Sequence, residues 1–128
     1  MTTPFWCLVA VTFLPIFLNF LGIAARAQAF GDVDNNTPRL QAAKLDGRGA
    51  RIYAAQENAW EAVAMFSVTV FATHLAGLDP AEATPFAIGY VVTRFLHAAA
   101  YIADLDRART LVFLAGIGCL VTLFVKAA

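Results

Sequence analysis

Charge is scarce in this sequence. Only 14% of its 128 residues are Asp, Glu, Lys or Arg, against roughly 25% in an ordinary soluble domain. Nine basic and nine acidic residues cancel to a formal net charge of +0, so no nucleic-acid partner is expected. Cysteine is almost absent. Cys7 and Cys119 each lie in an apolar run; they make neither a disulfide framework nor a metal-type spacing, and no metal site is expected. Both read as small buried hydrophobes. There is no internal repeat, low-complexity tract or linker, so residues 1–128 read as a single domain. What fills the chain instead is apolar: 60% of the residues, where about 45–50% is usual. That is the composition of a membrane protein.

Four apolar segments follow in order. Residues 5–25 contain no charged side chain, and at about 1.5 Å per residue they span roughly 31 Å, one hydrocarbon thickness. Pro15 is a candidate kink in this first expected helix, and Asn19 is its one strongly polar side chain. A cleaved signal peptide competes with it, since Ala27-Gln28-Ala29 has a small-x-small shape, but no Lys or Arg precedes the run and the run is long for such a signal. Residues 26–50 are the longest polar stretch: Asp32-Val-Asp-Asn-Asn-Thr-Pro38 is turn chemistry, Arg39 to Lys44 suits a short turn of helix, and Gly47 and Gly49 lead into the next segment. The second helix is expected over about 50–76. Gly77-Leu-Asp79-Pro80 then makes a tight connection, with Asp79 an N-cap and Pro80 the first helical residue. The third helix is expected over about 80–103 and the fourth over about 109–125, with a loop at 104–109 between them. Gly116 and Gly118 offer the fourth helix small surfaces for close contact.

Two of these helices carry polar faces. Arg51 and Asn58 lie about 20° apart around a helix, with Glu61 about 60° further round, at about 100° per residue. On the third helix Tyr90, Arg94, His97 and Tyr101 are spaced four, three and four and share one stripe. Polar groups at membrane depth are costly and commonly mark a site, although Arg51 and Glu61 read equally as residues snorkelling to the interface. An antiparallel pair brings both polar ends to one side, where Arg107 and Arg109 suggest an anion site. Neither face has a complementary one in the fourth helix, so a partner subunit is expected to supply it. Arg26, Arg39, Lys44, Arg48 and Arg51 lie in or beside the first connection, Arg107 and Arg109 in the third, and none in the second. Positive-inside then places the first and third connections in the cytoplasm and both termini outside.

The order of these motifs resembles the MAPEG superfamily, the membrane-associated proteins in eicosanoid and glutathione metabolism. The likeness lies in Arg51-Ile-Tyr53, Ala55-Gln56, Asn58 and Glu61, in Arg94-x-x-His97-x-x-x-Tyr101 followed by Arg109-Thr-Leu, and in Asn36-Thr-Pro-Arg39, similar to the Asn-Pro-Arg of bacterial-type members. It covers nearly the whole chain. It implies an all-α membrane protein, a four-transmembrane-helix bundle assembled as a homotrimer, in this case in a bacterial inner membrane. It also implies glutathione held between subunits. Arg51, Gln56, Asn58 and Glu61 would bind the tripeptide from one helix, and Arg94, His97 and Tyr101 would line it from another, with His97 equally readable as a packing residue. Arg26, in Ala-Arg-x-x-Ala-Phe, would hold a carboxylate, and Arg109 would stabilise the thiolate.

The chain departs from the family pattern at two places. A second arginine common four residues before the Asn is Ala54 here, and the often aromatic place after the Glu is Ala62. Fewer cations mean a weaker grip on an acidic tripeptide. Two functions follow from the resemblance: a glutathione-dependent transferase or peroxidase acting on lipophilic electrophiles or hydroperoxides, or a non-catalytic membrane protein binding lipid or a partner helix. A small transporter fits less well, because the fourth helix is apolar until Lys126.

Overall fold

The computed structural model describes residues 1–128 as five helices with no strand: α1 (Thr3–Phe30), α2 (Pro38–Ala42), α3 (Gly47–Leu75), α4 (Pro80–Ile102) and α5 (Asp106–Ala127). Two of them, α1 and α5, are long and apolar enough to cross a membrane. α3 and α4, at 29 and 23 residues, have the length but carry the polar faces.

The helices run past the apolar limits expected from the sequence. α1 continues to Phe30, because Ala24-Ala25-Arg26-Ala27-Gln28-Ala29 consists of strong helix formers. It stops where Gly31 turns left-handed at φ 72° and returns its N–H to the Ala27 carbonyl. Arg26 is therefore helical and not in the connection. α3 takes in Gly47 and Gly49, where a loop was expected. α5 starts at Asp106 and not near 109, so Arg107 and Arg109 lie in its first turn. The intervening connection is short because Asp104 adopts φ 62° and the Leu105 N–H returns to the Ala100 carbonyl. Apolarity marks where lipid is tolerated; helix propensity and caps mark where the helix ends. Asp79 caps α4 as expected, its carboxylate accepting from the Ala81 N–H at 2.8 Å.

Consecutive long helices are antiparallel. Phe5 of α1 meets Phe71 and His74 near the end of α3, while Gly22 of α1 lies against the Tyr53 ring near its start. Arg51 reaches the Ile102 carbonyl at the end of α4, and Lys126 reaches Glu82 at the start of α4 at 2.8 Å. The interior is built largely from alanine: Ala55, Ala59 and Ala62 of α3 and Ala83, Ala87 and Ala98 of α4 are all buried. Small side chains let helices approach closely, which is how they associate when lipid removes most of the hydrophobic drive. Phe66 and Tyr90 fill the centre with ring centroids 4.5 Å apart, and the Tyr90 hydroxyl donates to the Ala62 carbonyl at 3.2 Å. Outside, Trp6, Phe13, Phe17 and Phe20 of α1 and Leu111, Leu114, Val121 and Val125 of α5 are exposed, an apolar surface far beyond what water tolerates in a monomer.

Candidate functional site

The antiparallel order gathers the end of α1, the start of α3, the end of α4 and the start of α5 at one end of the molecule. Every basic residue except Arg94 and Lys126 lies at or near that end. Arg51 holds α3 against the turn after α4: Nε donates to the Ile102 carbonyl at 3.3 Å and Nη1 lies 3.4 Å from the Asp104 carboxylate. The expectation that neither polar face finds a partner within the chain is thus corrected at Arg51. That pair is partly solvated and adds little stability.

Five residues further on, Gln56 donates to the Asn19 side-chain oxygen of α1 at 3.4 Å. Asn58 and Glu61 face outward, 3.4 Å from one another, with no partner elsewhere in the chain. A helical surface carrying an amide and a carboxylate that pair only with each other is open to a ligand or a second subunit.

Arg26 is only 3% exposed. Its Nη1 donates to the Asp34 carbonyl at 3.2 Å and to the Gln41 side-chain oxygen at 3.1 Å, and its Nε has no partner. Gln41 in turn donates to the Asp32 carbonyl and accepts from the Asp34 N–H, each at 3.0 Å. Arg26 thus ties the first connection back onto α1. The Asp34 carboxylate accepts from the Thr37 hydroxyl and from the N–H groups of Thr37 and Asn36, and these bonds, that of the hydroxyl foremost, hold it below the usual carboxylate range. A lowered pKa in the folded state means that the contribution to order is complete above the ordinary Asp value and is lost as pH falls through the folded one. Protection from hydrogen exchange in residues 32–41, taken relative to the intrinsic rate at each pH, should therefore hold at neutral pH and be lost only under acid. Arg26→Ala should make the same residues exchange fast already at neutral pH; unchanged protection would show that Gln41 suffices.

The remaining expected residues meet between α4 and α5. The α4 stripe at 90, 94, 97 and 101 faces an α5 stripe at 109, 113, 116 and 120. The Arg109 guanidinium lies 4.3 Å from the Tyr101 ring centroid. His97 packs edge-on to Tyr101 at 5.8 Å and against Phe113 at 6.1 Å. The Arg94 guanidinium sits 5.1 Å from the Tyr90 ring and 5.5 Å from that of Phe113. Arg94 and His97 are 2% and 6% exposed, so neither side chain reaches the molecular surface. None of the three Arg94 nitrogens has a hydrogen-bond partner; two aromatic faces are its compensation. A Cβ on Gly116 would lie 2.5 Å from Arg94 Nη2, so Gly116 makes the room for this cation. Arg109, by contrast, is half-buried at the molecular edge.

Phe113, Gly116, Asn19 and Gln41 were not singled out as site residues. Their signal was present in part: residues 109, 113, 116 and 120 repeat the four-three-four interval of the α4 stripe. Arg109 is unpaired by any carboxylate and stands in the first turn of α5, where the helix dipole is positive.

A family model for the MAPEG family matches residues 3–128, essentially the whole chain. No curated protein and no solved structure matches it.

Proposed function

The chain belongs to the MAPEG family, a membrane protein of that family, and from that premise we propose that it binds glutathione and uses the thiolate on lipophilic electrophiles or hydroperoxides. The observation that carries the reading is the Arg109 guanidinium, held at the edge of the α4–α5 pair with no acidic partner. A cysteine thiol of ordinary pKa about 8.5 is mostly protonated at neutral pH, and a nearby guanidinium favours its anion. The thiolate sulfur then bonds to an electrophilic carbon as the bond from that carbon to its leaving group breaks and the group departs as an anion; on an activated alkene the π electrons move to the far carbon, which takes a proton. With a hydroperoxide it attacks the terminal peroxide oxygen, the O–O bond breaks and the alkoxide takes a proton and leaves as the alcohol; a second glutathione then displaces the hydroxyl of the resulting sulfenic acid, giving the disulfide and water.

In this proposal all four long helices span the membrane and three copies assemble. Asn58 and Glu61 point outward from α3 and meet the tripeptide at the subunit boundary, with Arg51 and Gln56 beside them. Arg94 and His97 back the site from within the α4–α5 interface, and Arg26 shapes its rim through the first connection. Native mass spectrometry in detergent should give a trimer, and thiolate absorbance should appear when glutathione at millimolar concentration is added to it. No binding at that concentration would sink the reading.

The clustering of seven of the nine basic residues at one end favours both termini outside the cytoplasm, in a bacterial inner membrane. A C-terminal reporter that works only in the cytoplasm should stay silent; strong signal would reverse the orientation and place the site on the wrong side.

Ala54 and the mutual pairing of Asn58 and Glu61 favour a second reading, a non-catalytic member that binds lipid or a partner helix through the same outward face. It predicts a trimer with no thiolate signal.

A further inference from the structure

We propose that Tyr101 is a positioning residue that holds the Arg109 guanidinium through its ring face, with its hydroxyl taking no part in that hold. The guanidinium carbon lies 4.3 Å from the ring centroid, well inside the range in which a cation is drawn to an aromatic face. Nothing else within the chain competes for this cation. The two ion pairs join Arg51 to Asp104 and Lys126 to Glu82. Asp106, the other acid nearby, accepts from the Arg107 N–H at 2.8 Å.

The ring is itself braced. Its neighbour His97 meets it edge-on, at 70° between planes, and His97 rests on Phe113, which follows Arg109 by one turn of α5. The short connection at 103–105, with Asp104 left-handed, leaves the two helix ends little freedom to slide. Arg109 is therefore clamped to α4 by an aromatic surface, while the Tyr101 hydroxyl makes no hydrogen bond within the chain. An arginine side chain loses considerable rotamer freedom when it is held, and a preheld cation stabilises charge without reorganising when it forms. The consequence for a bound thiolate rests on the function proposed above; the clamp itself does not.

The test compares Tyr101→Phe and Tyr101→Leu with the parent trimer by reaction with phenylglyoxal, an arginine-selective reagent, followed by peptide mapping. Arg107, exposed two residues earlier, is the internal control. In Tyr101→Leu, Arg109 should react about two- to fivefold faster, the typical strength of such a contact at a partly exposed site, with Arg107 unchanged. Tyr101→Phe should match the parent. Equal rates in all three proteins would overturn the clamp. Equal acceleration in both variants would transfer the role to the hydroxyl and overturn it too, and acceleration at Arg107 as well as Arg109 would show loosening of the α5 start in place of a lost clamp. A second arm titrates bound glutathione: Tyr101→Leu should raise the thiol pKa. If the parent binds no glutathione, the proposed function fails and the modification arm still decides the clamp.

Discussion

Replacing Arg109 by Ala is expected to raise the apparent pKa of bound glutathione and slow its reaction with a lipophilic electrophile, while most of the affinity survives. The guanidinium stabilises only the charged form of the sulfur, whereas Asn58 and Gln56 would hold the tripeptide backbone in either form. Each pKa unit is about 1.4 kcal/mol of differential interaction. Below the pKa the rate should fall by up to about tenfold per unit, partly offset by the greater nucleophilicity of a more basic thiolate. Asn58→Ala should do the opposite, weakening binding with little change in the bound pKa. A pH titration of thiolate absorbance on the parent and both variants separates the two. A bound pKa unmoved by Arg109→Ala would reduce this residue to a solvated cation on the first turn of α5.

The second large effect concerns stability, and it separates two glycines two residues apart. Gly116→Val should destabilise the protein and Gly118→Ala should not. A Cβ at 116 would fall 2.5 Å from Arg94 Nη2 and 2.8 Å from Thr93 Oγ1, both buried, and one at 118 meets nothing within 4 Å. Forcing volume into the packed position costs typically about 1–3 kcal/mol. At 118 the change should be neutral or gain up to about 1 kcal/mol, because Ala is the better helix former. Thermal unfolding in one detergent tests both. Equal midpoints for Gly116→Val and the parent would mean that Arg94 is free to withdraw, contrary to its burial between two aromatic rings.

Much of the architecture was legible in advance. The four long helices, the short helix after Pro38, the Asp79-Pro80 start of α4 and the stripe of Tyr90, Arg94, His97 and Tyr101 are all readable from periodicity and capping chemistry. Helix ends were read less well. The apolar run stops at residue 25 while the alanine-rich helix continues to Phe30, and Arg107 passes from loop to helix because Asp104 closes α4 so abruptly. The intrachain partners of the site residues were not legible. Arg26, expected to hold a carboxylate, is bonded to Asp34 and Gln41, and Arg94, expected to line a ligand, is sealed behind Phe113 and Gly116.

Sequence alone therefore determined the apolar, all-helical character and the family, because apolarity, period and the order of short motifs are local properties of the chain. Only the tertiary structure decided which cations are spent on the fold and which are free. Arg26, Arg51, Arg94 and Arg109 look alike in a list of residues. Their difference lies in what stands opposite each: a loop carbonyl, a carboxylate, two ring faces closed over by a glycine, or one ring face at an open edge. That is set by the antiparallel register of α1 with α3 and α4 with α5, a long-range property that no stretch of sequence carries by itself.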